Sequence, residues 1–145
     1  MVMVRHGVKE NPEWECLLSK EIGHGSRRRV YVHSENSDWV IKKIRSPDMA
    51  TNKYEWAVWQ LVKDMPDFSC WVVPCVTISD CETYLVQERG VPIKNRQLPS
   101  YSSIPYWVRM DFARANWVDH EGKPKLCDYD NKQLQRLKEV LKYGS

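Results

Sequence analysis

No apolar run in this chain of 145 residues approaches the ~20 residues that a membrane-spanning helix needs, so a membrane is not expected among its partners. The opening residues Met1-Val2-Met3-Val4-Arg5-His6 lack the long apolar stretch of a secretory leader, which points to the cytoplasm. Paired metal ligands are missing too. Cys16, Cys70, Cys75, Cys81 and Cys127 form an odd set without a Cys-x-x-Cys pair, and His6, His24, His33 and His120 are scattered. That spacing argues against a zinc–thiolate site and for reduced thiols. A strong excess of one charge sign is also absent, the net charge being +3. Nucleic-acid binders usually gather basic residues on one face. The dense basic cluster here is Arg27-Arg28-Arg29, with Lys42, Lys43 and Arg45 further on. It reads either as a solvated face or as the mouth of an anion site. No internal repeat or low-complexity segment is visible.

What is present is the composition of a globular domain, 42% hydrophobic and 28% charged, at a length that can bury a sizeable core. Residues 1–13 read as a loosely tied arm and 14–145 as one α+β domain. Trp14 to Ile22, Arg29 to His33 and Trp39 to Ile44 are predicted strands of an antiparallel meander, with Ser34 to Asp38 as a turn. Ser46 as cap and Pro47 at the first helical position open a helix, which carries Tyr54, Val58, Leu61 and Val62 at helical spacing and stops by Met65-Pro66. Trp71 to Ser79 and Thr83 to Gln87 are further strands, and Pro74 makes the first irregular or delays its start. After Glu88 to Pro92, residues 93–103 have no clear pattern. Ile104 to Met110 reads as a short helix or an extended segment, and Lys123 to Cys127 as a strand. Asn131 to Tyr143 forms an amphipathic helix with Leu134, Leu137, Val140 and Leu141 on one face.

The residues with chemical potential begin at Ile22-Gly23-His24-Gly25-Ser26. Two glycines in a turn let backbone N–H groups come close to phosphate oxygens. Strand alternation puts Val40 and Lys42 on one face and Lys43 on the other, and Val30 can cover the same side as Val40. Two valines with an ammonium at the edge suit a nucleotide, and a carboxylate from Glu55 would fix the lysine. Downstream, Asp111 and Asn116 precede Asp128. One carboxylate orienting a hydroxyl, with an amide and a second carboxylate on Mg²⁺, is a workable phosphoryl-transfer set.

In this order the motifs resemble the protein-kinase-like superfamily. The glycine turn resembles G-x-G-x-x-G-x-V with Arg28 at the third glycine, Trp39-Val40-Ile41-Lys42 resembles V-A-I-K, Asp111 to Asn116 resembles D-x-x-x-x-N, and Asp128-Tyr129-Asp130 stands where D-F-G would. The resemblance implies an N-lobe over 14–90, with a five-stranded antiparallel sheet and one helix, and a truncated C-lobe over 91–145, as in compact phage and bacterial kinases. It implies that Gly23, Gly25 and Ser26 cover the phosphates of ATP, that Lys42 pairs with Glu55, and that Glu88 lies beside adenine. Asp111 would then be the base, with Asn116 and Asp128 on Mg²⁺. The function implied is a minimal Mg-ATP phosphotransferase acting on a hydroxyl. An inactive pseudokinase that binds a partner completing the small C-lobe is the alternative. Nucleic acid is not expected under either. A third reading sets the resemblance aside and sees an α+β domain whose basic face around Arg27–Arg29 binds nucleic acid or another polyanion.

Overall fold

The computed structural model describes residues 8–25, 27–109 and 116–144. It has a mixed α+β fold built on a five-stranded antiparallel sheet, in the order β1-β2-β3-β5-β4. The strands are β1 Leu18–His24, β2 Arg28–His33, β3 Trp39–Ile44, β4 Cys75–Ile78 and β5 Tyr84–Glu88. β3 has the predicted bounds, and β4 begins after Pro74, where the proline no longer interrupts the ladder. Three short strands, β6 Val91–Pro92, β7 Trp117–His120 and β8 Lys123–Leu126, make a second sheet. Of these, β6 and β7 carried too little pattern to be predicted.

The helices are α1 Pro12–Glu15, α2 Thr51–Val62, α3 Pro66–Ser69 and α4 Asn131–Tyr143. Two expectations need correcting here. Trp14 belongs to α1 and not to a strand, because Asn11 Oδ1 accepts from Glu13 N at 2.9 Å and Pro12 takes the first position. The indole then stacks on Tyr84, ring centroids 5.3 Å apart. The Ser46-Pro47 pair, which has the same signature, makes only a turn closed by Met49 N on Ser46 O at 3.1 Å. α2 starts at Thr51 with no side-chain cap. Its first turn is tied to the sheet instead, since buried Asn52 donates to the carbonyls of Lys42, Glu82 and Thr83. α4 has the predicted bounds, with a capping box between Asp130 and Gln133. On its apolar face Leu134 and Leu137 are buried while Leu141 is 43% exposed.

The sheet is covered on both sides, which is why β3 is buried at Val40, Ile41, Lys42 and Ile44. Ile41, Tyr84 and Val86 face Trp14, Leu17 and Leu18. On the other side Val58, Leu85, Trp107, Trp117, Leu126 and Leu137 share a larger core that joins α2, α4 and the second sheet. The corner after β5 is tight: a Cβ on Gly90 would lie 2.3 Å from Val118 Cγ2 and 3.0 Å from Asp119 O. Gly90→Ala should therefore destabilise the fold by about 1–3 kcal/mol. A thermal melt reads this directly, and an unchanged midpoint would mean that the corner can open freely. Among the described residues, no helix is long and apolar enough to cross a membrane.

Candidate functional site

Between the two sheets lies a cleft of about 580 Å³, walled by Ile22, Val30, Val40, Val91 and Val118, with Glu88 to Gly90 along one rim and Lys42 and Asp128 at its polar end. The strand register explains the wall. Val30 sits opposite Lys42 and Val32 opposite Val40, so alternate residues of β2 and β3 face inward together.

Behind this wall four charges meet. Lys42 Nζ lies 2.6 Å from Glu55 Oε1 and 3.0 Å from Asp128 Oδ1, and it also donates to the carbonyl of Cys127. Arg28 Nη2 lies 2.8 Å from both Glu55 Oε2 and Asp128 Oδ1. Gln87 Nε2 adds a bond to Glu55 Oε1 at 3.0 Å, and Asn52 Oδ1 accepts from Arg28 at 3.1 Å. Glu55 is fully buried. Two cations thus match two carboxylates, and the quartet is neutral.

Arg28 is the functional-looking residue that the sequence reading missed. It was placed in a basic cluster, yet it is buried while Arg27 and Arg29 beside it have side chains 62% and 52% exposed. The signal was available, because Arg28 shares the inward face of β2 with Val30.

Burial pulls the Asp128 carboxyl upward, and Lys42 and Arg28 outweigh it, holding it below its ordinary value of 3.8. Burial lowers Lys42, but Asp128 and Glu55 raise it above its usual range. Because the native Asp128 pKa is depressed, the unfolded chain takes up the proton first as pH falls. The stability this carboxylate contributes is complete above about pH 4 and is lost below it. Asp128→Asn should flatten the fall in urea midpoint between roughly pH 5 and pH 3. An equally steep fall in the variant would assign the acid sensitivity to other groups.

The other predicted residues are placed as follows. Gly23 lies in β1 opposite Val30, and Gly25 closes the hairpin by donating to Arg28 O at 2.9 Å. Glu88 lines the cleft rim. Asn116, next to β7, accepts from Cys127 N at 2.8 Å through its backbone carbonyl. Ser26 and Asp111 lie outside the described residues. The structure therefore brings together Val30, Val40, Lys42, Glu55, Glu88 and Asp128. A lysine has three N–H donors, and all three of Lys42's are engaged within the protein. Asp128 Oδ1 takes both cations, while among the described residues its Oδ2 meets the Cys127 thiol at 4.0 Å. Burial pushes the Cys127 thiol up to about 12.

A second group lies near the rim, where Glu88, His120 and Glu121 bring their ligand atoms within 4.8 Å of one another. Lys125 Nζ is 2.9 Å from His120 Nδ1, and His120 Nε2 is 2.8 Å from Glu88 Oε1. With the ammonium donating to Nδ1, the ring proton belongs on Nε2, the atom a metal would need. Lys125, His120 and Glu88 form a hydrogen-bond chain in which both ring nitrogens of His120 are already engaged.

Facing the opposite way, the outer side of β2 and β3 holds a depression of about 380 Å³ lined by Val8, Glu10, Arg29, Tyr31, Lys43 and Arg45. Arg29 sits opposite Lys43 in the ladder, and Arg45 N donates to Arg27 O at 2.9 Å, so Arg27 and Arg45 leave neighbouring strand ends. Strand alternation puts Lys43 on the face opposite Lys42, as expected. It is half-buried, held by Glu10 at 2.7 Å and Glu15 at 3.1 Å.

No family model matches the chain. Two proteins from two strains of Prochlorococcus marinus, each described as a sugar fermentation stimulation protein homolog, are similar to parts of it. One is 22% identical over 83 residues, covering 57% of this chain and 33% of the relative. The other is 25% identical over 91 residues, covering 62% and 36%. The chain thus spans about a third of the length of these curated relatives. They overturn the likeness to the protein-kinase-like superfamily, and with it the Mg-ATP phosphotransferase and its pseudokinase variant. The physical reason is that each motif was short and serves ordinary structure equally well: glycines in a hairpin, a lysine neutralised across a buried quartet, an aspartate beside a helix cap. What the chain resembles at the level of sequence is a pair of sugar fermentation stimulation protein homologs.

Proposed function

We propose that this chain is a polyanion-binding α+β domain whose ligand is single-stranded nucleic acid, held on the outer face of the five-stranded sheet. The observation that carries this reading is the depression formed by Arg29, Tyr31, Lys43 and Arg45, with exposed Arg27 beside it. The inward cations Arg28 and Lys42 are balanced by Glu55 and Asp128 in a buried network. Arg29 and Arg27, by contrast, meet Glu21 and Asp130 only in long, solvent-exposed pairs of 3.7 and 3.8 Å, and Arg45 is exposed, so these guanidinium groups stay open to a ligand. Guanidinium groups track a phosphate backbone, and an aromatic ring between them offers a surface on which a base can stack. The test is a fluorescence anisotropy titration of a labelled oligothymidylate across a salt series. Affinity should fall steeply with salt, weaken in Arg29→Ala and stay the same in Lys138→Met, an exposed lysine of α4. Absence of binding at low salt, or equal loss in Arg29→Ala and Lys138→Met, would overturn the reading.

The cleft favours a second and smaller ligand. Its apolar walls and 580 Å³ volume suit a planar ring, and with Asp128 at the polar end Mg-ATP is the ligand to try there. Asp128 Oδ2 would be the protein's ligand to the cation, with waters and phosphates supplying the rest. Because the Lys42 donors are engaged, phosphate contact requires Lys42 to release one of its partners. Calorimetry of Mg-ATP against wild type and Asp128→Asn decides this reading, and the absence of heat in wild type would remove it.

A further inference from the structure

The outer depression already holds an anion of the protein's own. Glu10 Oε1 lies 2.7 Å from Lys43 Nζ, with the glutamate side chain 60% exposed and the lysine 15%. The carboxylate therefore approaches a largely covered ammonium from the solvent side. It stands on the irregular segment just before α1, so rotation of its side chain is enough to withdraw it. Lys43 does not need it for neutralisation. Glu15, on α1, lies 3.1 Å from the same nitrogen and is itself held by the Tyr84 hydroxyl. One ammonium thus carries two carboxylates, one anchored in the fold and one at the surface.

Resting on the reading of the outer face as a nucleic-acid site, we propose that Glu10 occupies the seat of a ligand phosphate. A phosphodiester of the bound strand displaces the Glu10 carboxylate from Lys43. The exchange is chemically matched: each group brings one negative charge and oxygens that accept from an ammonium. The departing carboxylate returns to water at little cost, because exposed ion pairs are worth little. The phosphate gains what Glu10 lacks, a position in a chain whose neighbouring phosphates can meet Arg29 and Arg45. Glu10 thereby sets a threshold, weakening the capture of isolated anions more than that of a continuous strand.

The test uses Glu10→Gln in the oligothymidylate titration, with Glu139→Gln on exposed α4 as a control of equal charge change. Glu10→Gln should bind about fivefold more tightly. Its log–log salt slope should stay within about 0.3 of wild type, because Lys43 meets the phosphate in both proteins and the number of phosphate contacts is unchanged. Glu139→Gln should leave both quantities near wild type. Binding by wild type with Glu10→Gln no tighter than Glu139→Gln would overturn this inference and leave the proposed function standing. If neither wild type nor Glu10→Gln bound, the proposed function itself would fail. A shared thermal midpoint for Glu10→Gln and wild type is expected, since Glu15 still holds Lys43.

Discussion

Glu55→Ala should lower the thermal midpoint by roughly 10 °C or more, the largest effect expected of a single substitution in this chain. Glu55 is fully buried and touches Lys42, Arg28 and Gln87. Truncating it leaves two buried cations facing the single carboxylate of Asp128. Breaking a buried pair from one side costs about 3–5 kcal/mol, because the surviving charge stays out of water without its partner. For a protein near this size each kcal/mol moves the midpoint by about 2–4 °C. Glu55→Gln should fall less far, since it keeps the shape and one acceptor for Lys42. A combined Glu55→Leu and Lys42→Met change should recover part of the loss, because an apolar replacement of both partners removes the uncompensated charge. If Glu55→Ala melted with wild type, the quartet would not be holding α2 to the sheet.

The second large effect concerns binding. Replacing both Arg29 and Arg45 by alanine should weaken oligothymidylate binding and reduce its salt dependence together. Each lost phosphate contact removes about 0.7 from the log–log slope on single strands, so two remove about 1.4. The ratio of affinities between about 50 and 200 mM salt should then shrink about sevenfold. Arg29 faces outward from β2 with its side chain 52% exposed, and Arg45 lies beyond the end of β3, exposed. Their replacement should leave the melting curve close to wild type, unlike Glu55→Ala. This separation matters, because a loss of binding accompanied by a loss of stability would not locate the surface. Weakened binding with an unchanged slope would show that the arginines act through shape and not through phosphate neutralisation.

Much of the architecture could be read from local pattern. β3 over Trp39–Ile44 and α4 over Asn131–Tyr143 have their predicted bounds, because alternation in one and helical spacing in the other agree with their caps and turns. The reading was weaker wherever two local signals competed. Asn11-Pro12 starts a helix and Ser46-Pro47 does not, although both carry the same signature. What separates them is tertiary: Trp14 has Tyr84 to stack on, and Asn52 ties the start of α2 to the carbonyls of Lys42 in β3 and of Glu82 and Thr83 just before β5. β6 and β7 were invisible because such short strands exist only by pairing, as Val91 does with Asp119 and Trp117 with Leu126.

The candidate site divides in the same way. The sequence by itself determined the α+β class, the facing of Val30, Val40 and Lys42, and the presence of a basic cluster, since strand alternation and composition are properties of neighbouring residues. Only the tertiary structure decided what those charges do. It turned Arg28 inward between Glu55 and Asp128, 27 and 100 positions away in the chain, and left Arg29 outside beside Lys43 and Glu10. An arginine's identity does not reveal whether it is neutralised. That depends on which carboxylates the fold brings within about 4 Å, where the interaction energy is large enough to matter. Motifs in series could therefore suggest a phosphate site at Lys42, while the fold ties that lysine to Glu55 and Asp128 inside the protein.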